Sequence, residues 1–181
     1  MSEALHTERL RLEPLGSHHA EEYLAYYVRN REHLRRWEPA RSDDCFTLDH
    51  VTREIAQMLR IESNRRFMIF ELDASTIVGS INLGGIAYGV QQHAQLGYSI
   101  DVDHCGLGYA TQAARAVVDY AFNGLRLHRV HASYQPDNKA SAAVLRNLGF
   151  EVIGYARDHL FVNGAWRDGV LVAIINDDWT P

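Results

Sequence analysis

The segment Val102-Asp103-His104-Cys105-Gly106-Leu107-Gly108-Tyr109-Ala110-Thr111 carries the plainest chemical signal in this chain. A strand-like run ends at its start, two glycines follow one residue apart, and small residues then open a helical pattern. Such a turn presents several backbone N–H groups at a helix N-terminus, with no β-carbon on either glycine to hold a ligand away. That is a seat for a pyrophosphate. A glycine-relieved strand-to-helix turn reads the same way, so the motif needs company to count.

Company comes from Gln135-Pro136-Asp137-Asn138-Lys139-Ala140-Ser141, which leads to Leu148-Gly149-Phe150 and then Gly154-Tyr155. Asn138 and Ser141 are about one helical turn apart, so both side chains can face one ligand. Asn and Ser also cap helices, and Gly stops them. Cys105 sits beside the glycine turn, where a covalent acyl-cysteine can be imagined. A nucleophilic cysteine needs an aimed base, however, and His104 is only its neighbour in the chain.

Other chemistries are excluded by pattern. A Walker loop needs GxxxxGK[ST], which is absent, and a Rossmann fingerprint needs a third glycine where Thr111 stands. The ten histidines show no HExxH and no Cys/His cluster. His128 and His131 fall on opposite faces of a strand, and His18 and His19 are helix neighbours that do not converge. No metal site is expected.

The composition frames these sites. The chain has 181 residues, 46% hydrophobic and 23% charged, which suits one globular domain over residues 1–181 with a core of its own. The formal charge of −5 argues against a nucleic-acid binder held by phosphate neutralisation. Of the 18 basic residues only Lys139 is lysine. Cys45 and Cys105 form no CxxC, and the N-terminus has no apolar leader, so the expected setting is cytoplasmic and reducing, without a disulfide. No apolar run is long enough to span a bilayer.

The elements that must position the sites follow from periodicity. Leu10 and Leu12 alternate with Arg9, Arg11 and Glu13 in a first strand that reaches Leu15. Ser17 is placed as the cap of a helix to about Asn30, with Ala20, Leu24, Tyr27 and Val28 on its face. Thr47 precedes a second helix carrying Val51, Ile55, Met58 and Leu59, and Pro39 keeps the stretch between them irregular. Strands are expected at 66–72, 76–83, 95–102 and 128–134, with a helix from Ala110 to Ala121 and another at 139–148 ended by Gly149. Strands at 151–162 and 165–175 meet at Asn163-Gly164, a type I′ hairpin signal. The result is a mixed α/β (α+β) domain.

This order, strand–GxG–helix–strand–Asn–helix–GF–hairpin, resembles the GNAT acyltransferase superfamily. Glu8-Arg9-Leu10-Arg11-Leu12, Trp37-Glu38-Pro39, Leu96-Gly97-Tyr98-Ser99-Ile100, His128-Arg129-Val130 and Asn163-Gly164-Ala165-Trp166-Arg167-Asp168 are similar to the Rim-type ribosomal-protein-alanine N-acetyltransferases, the RimJ/RimL group. The resemblance implies a mostly antiparallel sheet of about seven strands flanked by helices and splayed between strands 4 and 5. It implies acetyl-CoA as co-substrate, with its pyrophosphate on the loop and Asn138 along its pantetheine arm. The cofactor residues implied are Ile100, Asp101, Val102, Gly106, Leu107, Gly108, Tyr109, Ala110, Thr111 and Asn138.

Three departures matter. Asp103 stands where the family's loop begins with Gln or Arg, Leu145 where many members place the tyrosine that protonates the thiolate, and Leu160 where a Rim-type base would fall. Ser141 is then the candidate acid. Glu38, Asp101, His159 or a water are the candidate bases, and Trp37, Tyr88 and Tyr98 are candidates for the acceptor entrance.

The expected function is transfer of acetyl to an α-amine, that of an N-terminal Ala or Ser of a protein such as a ribosomal protein. An α-amine has a pKa near 8, so about a fifth to a third is neutral at pH ~7.4, against about one lysine in a thousand. The α-amine therefore tolerates the missing glutamate better. Alternatives are a small amine or antibiotic as acceptor, and a silent acyl-CoA-binding module. A monomer or homodimer is expected, with no membrane or direct nucleic-acid partner.

Overall fold

Leu10 and Leu12 are fully buried while Arg11 and Glu13 are only partly covered, so the first alternating run is a one-sided strand. In the computed structural model, which describes residues 3–181, this strand is β2 (Leu10–Pro14). A two-residue strand, β1 (Leu5–His6), pairs with it and was too short to read from periodicity.

The helix expected from Ser17 starts later. Ser17–His19 form a 3-10 turn, Gly16 occupies the cap position, and α1 covers Ala20–Arg29. Of its expected face, Ala20 and Tyr27 are buried, Leu24 is half-buried and Val28 is exposed; Tyr23 and Tyr26 complete the buried side. A further short helix, α2 (Arg31–Arg35), follows directly. Thr47 does cap α3 (Leu48–Met58), its hydroxyl accepting from the His50 amide at 3.3 Å.

Then come β3 (Arg65–Glu71), β4 (Ile77–Ala87) and β5 (His93–Ile100), joined antiparallel. Helix α4 (Tyr109–Asp119) ends in a π-turn over Tyr120–Gly124. It leads to β6 (Arg129–Tyr134), α5 (Lys139–Asn147), β7 (Glu151–Val162) and β8 (Ala165–Ile175). Asn163 and Gly164 take φ values of 51° and 74°, the left-handed pair a type I′ turn requires. His128 lies just outside β6.

The eight strands form one sheet in the order β1-β2-β3-β4-β5-β6-β8-β7. Only β5 and β6 run parallel, paired at His93–Arg129, Ala94–Val130 and Gln95–His131 and nowhere beyond. From Leu96 onward the two strands part. This is the expected splay, one strand later in the count because β1 adds to the expected seven.

Helices cover both faces, which explains why β3 reads as a nearly unbroken apolar run. Phe67 and Ile69 join a core beneath α4 and α5 that includes Val117 and Leu145. Met68 and Phe70 point the other way, into a core with Tyr23, Tyr26, Val51 and Ile55. Among the described residues no helix is long and apolar enough to cross a membrane.

Candidate active site

At the end of β5 the chain turns on Asp101. Its buried carboxylate accepts from Arg29 Nε at 2.7 Å, Asn30 Nδ2 at 2.8 Å and the Asp103 amide at 3.0 Å. Burial alone would raise its pKa, but hydrogen bonds from Asn30, Arg29, the Asp103 amide and His104 bring it down to about 2. Asn30 Oδ1 also accepts from the Val102 amide at 2.8 Å. With its lone pairs taken and its proton held off, Asp101 builds the turn and cannot serve as the base. That candidate falls away.

The glycine turn follows. Gly106 and Gly108 have φ of +79° and +81°, conformations that a β-carbon would strain. A Cβ on Gly108 would also come within 3.3 Å of Arg9 Nη2, which donates to the Leu107 carbonyl at 2.7 Å. Arg9 in turn stacks over the Tyr109 ring, 4.9 Å from its centroid, so the residue just before β2 clamps the turn. Helix α4 starts at Tyr109, which leaves the amides of its first turn without intrahelical acceptors and at the positive end of the helix. Among the described residues nothing lies within 4 Å of where a Gly106 β-carbon would sit. The donor set suits a phosphate group.

Of the expected cofactor residues, Ile100, Gly106, Gly108, Tyr109, Ala110, Thr111 and Asn138 line one cleft of about 500 Å³. Asp101, Val102 and Leu107 do not line it: Asp101 is turned inward, and the apolar side chains of Val102 and Leu107 lie out in solvent. The cleft occupies the gap where β5 and β6 part, so Gly97, Tyr98 and Ser99 form one wall and Ala132 to Gln135 another.

Across that gap Tyr98 Oη lies 2.9 Å from Ser141 Oγ. Asn138 caps α5 by accepting from the Ser141 amide at 3.0 Å, which fixes the serine at the cleft wall and leaves the Asn138 Nδ2 end free. Burial pushes the Tyr98 phenol up to about 12, with the Ser141 hydrogen bond opposing it, so both hydroxyls keep their protons at neutral pH. From the sequence alone Tyr98 is expected only at the acceptor entrance. The alternation Leu96, Tyr98, Ile100 was the signal that it faces α5.

Trp37, Glu38 and Leu160 also line the cleft. The Trp37 and Glu38 amides both donate to the Leu34 carbonyl, at 2.8 and 2.9 Å, wrapping the chain around the end of α2 before Pro39. Asn163 at the hairpin tip donates to the Arg35 carbonyl and holds the β7–β8 arm against the end of α2. Tyr88 is exposed and lines no part of the cleft, so it leaves the list of entrance residues. His159 packs against Gly169 in β8 instead of entering the cleft, and is no base for chemistry there.

Cys105 does line the cleft, facing His33 Nε2 at 3.7 Å. Its thiol donates to the Asp101 carbonyl at 3.4 Å, and burial together with the Asp101 charge pushes its pKa up. A raised thiol is a poor nucleophile, which favours direct transfer. Both cysteines are free.

The 3-10 turn also changes the histidine geometry. His18 and His19 do converge, with ring centroids 3.9 Å apart and Glu13 between their Nε2 atoms. Burial and the neighbouring His18 lower the His19 pKa to about 4. Its Nδ1 accepts from the Gly16 amide at 3.0 Å, so its proton sits on Nε2 and points at Glu13. No lone pair remains on His19 for a metal. A second group, Asp44, Cys45 and His50, lies at the start of α3; neither group lines the cleft.

Comparison with known proteins places this geometry. The family model described as Acetyltransferase (GNAT) domain matches residues 9–151. The chain is 36% identical over 180 residues to the [Ribosomal protein uS5]-alanine N-acetyltransferase of Escherichia coli, covering 98% of this chain and 93% of that one. It is also 36% identical over 168 residues to a probable N-acetyltransferase of Bacillus subtilis, at 91% and 93% coverage. A ribosomal-protein-S5-alanine acetyltransferase from Vibrio fischeri superposes with a TM-score of 0.94 at 32% identity, over 99% of this chain and all of that one. RimJ of Mycobacterium smegmatis, solved in complex with CoA-disulfide, gives 0.88 at 28% identity over 93% and 83%.

Proposed function

The chain belongs to the GNAT acetyltransferase family, and we propose that it acetylates the α-amine of a protein N-terminus, an N-terminal Ala or Ser such as that of a ribosomal protein. It is an enzyme that transfers acetyl groups from acetyl-CoA, so the silent binding module considered from sequence is set aside. One observation carries the reading: a single cleft is lined by the amide-bearing glycine turn, by the Tyr98–Ser141 pair, and by Trp37 and Glu38. Both substrates can then meet in that cleft at the splay.

Bound acetyl-CoA supplies a thioester, whose carbonyl is the electrophile and whose sulfur is the leaving group. The amides of Gly106 to Thr111 would hold its pyrophosphate, and Asn138 Nδ2 would bond the arm that runs along α5. Past Gln95, the edge of β5 that faces β6 has no ladder partner, so its backbone groups are available to orient the thioester. Ser141 is the acid. Its hydroxyl gives its proton to the departing sulfur, and Tyr98, 2.9 Å away, orients that hydroxyl and can return a proton to it. Holding two substrates in line supplies most of the acceleration, of order 7–11 kcal/mol.

The test is thiol release with a panel of acceptors. Peptides with free N-terminal Ala or Ser should turn over, whereas N-terminally blocked peptides with internal lysine should not. Turnover of small amines alone would move the acceptor class and keep the chemistry.

A further inference from the structure

The acceptor arrives as an ammonium, and the cleft must take a proton from it before nitrogen can attack. Leu160 occupies the expected base position without a carboxylate, Asp101 is locked in its turn, and His159 is elsewhere. Among the described residues one carboxylate remains on the cleft wall, and the two imidazoles that also line it, His33 and His104, face Cys105 and Asp101. Glu38 lines both the main cleft and a smaller cavity of about 140 Å³ behind it, whose walls include Tyr27, Pro39, Arg41 and Phe46. Glu38 and Leu34 are shared by both cavities, so the glutamate forms part of the partition between them.

The groups around Glu38 attract it without engaging it. Arg41 is spent on a bidentate pair with Glu54, both contacts 3.1 Å, and lies over the Tyr27 ring. Arg66 donates to Tyr23 Oη at 3.3 Å, and its Nε is buried with no partner. Tyr26 donates to Ser99 Oγ at 3.0 Å. No hydrogen bond to the Glu38 carboxylate is formed among the described residues. A carboxylate on a cleft wall with its lone pairs unclaimed is suited to receive a donor from a ligand.

We infer that Glu38 is the proton acceptor for the incoming α-ammonium, a role that rests on the acetyl-transfer reading of this cleft. Glu38 takes one proton from R–NH3⁺ and later releases it to water. The amine lone pair forms the N–C bond to the acetyl carbon while the C–S bond breaks, its electron pair leaving on sulfur. Sulfur takes the Ser141 proton, and the second proton on nitrogen returns, through Tyr98 or water, to Ser141. One proton is released to water for each acetyl transferred. Burial raises the Glu38 pKa above the ordinary carboxylate value against the pull of Arg41 and Arg66, with Glu54 adding to the rise. Tyr26 and Tyr27 on α1 are the titratable groups that face it from the other side.

The test is the pH profile of Glu38→Gln against wild type, using whichever amine of the acceptor panel wild type acetylates. Without a base, only amine that is already neutral reacts. For an α-amine of pKa near 8 the variant should be about thirtyfold slower at pH ~6.5 and within about threefold of wild type at pH ~9. For an aliphatic amine of pKa near 10.4, a deficit of about twenty-five-fold should persist at pH ~9. The acceptor class and the base role are thus read separately, and a small-amine result leaves the Glu38 assignment standing. Acetyl-CoA affinity, measured by titration, should stay within about threefold, and Glu38→Asp should recover part of the low-pH rate. A Glu38→Gln profile parallel to wild type, whether equal or uniformly depressed, would overturn the proposal. So would a wild type that binds acetyl-CoA and acetylates no amine.

Discussion

Tyr98 on β5 and Ser141 on α5 share a 2.9 Å hydrogen bond across the gap where the sheet opens. Their backbones belong to elements that approach the cleft from opposite walls, and the bond fixes the distance between those walls at the expected reaction point. With the Tyr98 phenol pushed up to about 12 by burial, the pair keeps its protons at neutral pH, where a departing thiolate would need one.

Ser141→Ala should therefore lower kcat by 10²–10⁴-fold, the usual range for a positioned acid, with acetyl-CoA affinity changed by less than about threefold. Tyr98→Phe removes only the orienting partner and should cost less, about tenfold. Single-turnover rates with saturating acetyl-CoA check both. A Ser141→Ala kcat within about threefold of wild type would reassign the acid to water.

Gly108→Val should raise the acetyl-CoA dissociation constant at least tenfold, about 1.4 kcal/mol. The reason is now specific: a φ of +81° and the 3.3 Å approach of Arg9 both oppose a side chain there. Isothermal titration of a folded variant with unchanged affinity would remove the phosphate role from this turn.

The contrast between Thr47 and Asp101 shows what could be read from the chain alone. Thr47 caps a helix whose first turn is its own neighbour, and Asn163-Gly164 sets its turn by local dihedrals, so both were legible. The partner of Asp101 is Arg29, 72 residues away, and no local pattern carries that pairing. Tyr98 and Ser141 are 43 apart, and their alliance likewise emerges only when the sheet and α5 are assembled. Helix α2 and strand β1 are too short to show a period. Glu38 was legible as a candidate, and its place as the cleft's one lining carboxylate among the described residues emerges only from the assembled fold.

Asp101→Ala should destabilise the protein by about 2 kcal/mol at neutral pH, the free energy that corresponds to holding a carboxyl near 2 instead of 3.8. A depressed carboxyl contributes stability above its unfolded pKa and loses it as pH falls through the folded one. Urea midpoints of wild type and variant should therefore differ by a constant amount above about pH 4 and converge toward pH ~2. A gap that persists at pH ~2 would mean that packing, and not the charge, is what Asp101 contributes.

The short parallel ladder between β5 and β6 also sets how the molecule breathes. Three rungs, at His93, Ala94 and Gln95, with the Gln92 carbonyl accepting from the His128 and Arg129 amides, stitch the two halves of the sheet together before the strands part. Amide hydrogens in the middle of a sheet are ordinarily among the slowest to exchange with solvent, because releasing them requires global opening. Here that order should invert within a few residues along β5. Amides directed at the cleft between Leu96 and Ile100 should exchange by small local openings, while those of the β3–β4 ladder next door persist on the timescale of whole-molecule unfolding. A seam of fast exchange would then run through the centre of an otherwise protected sheet and slow when the cleft is filled.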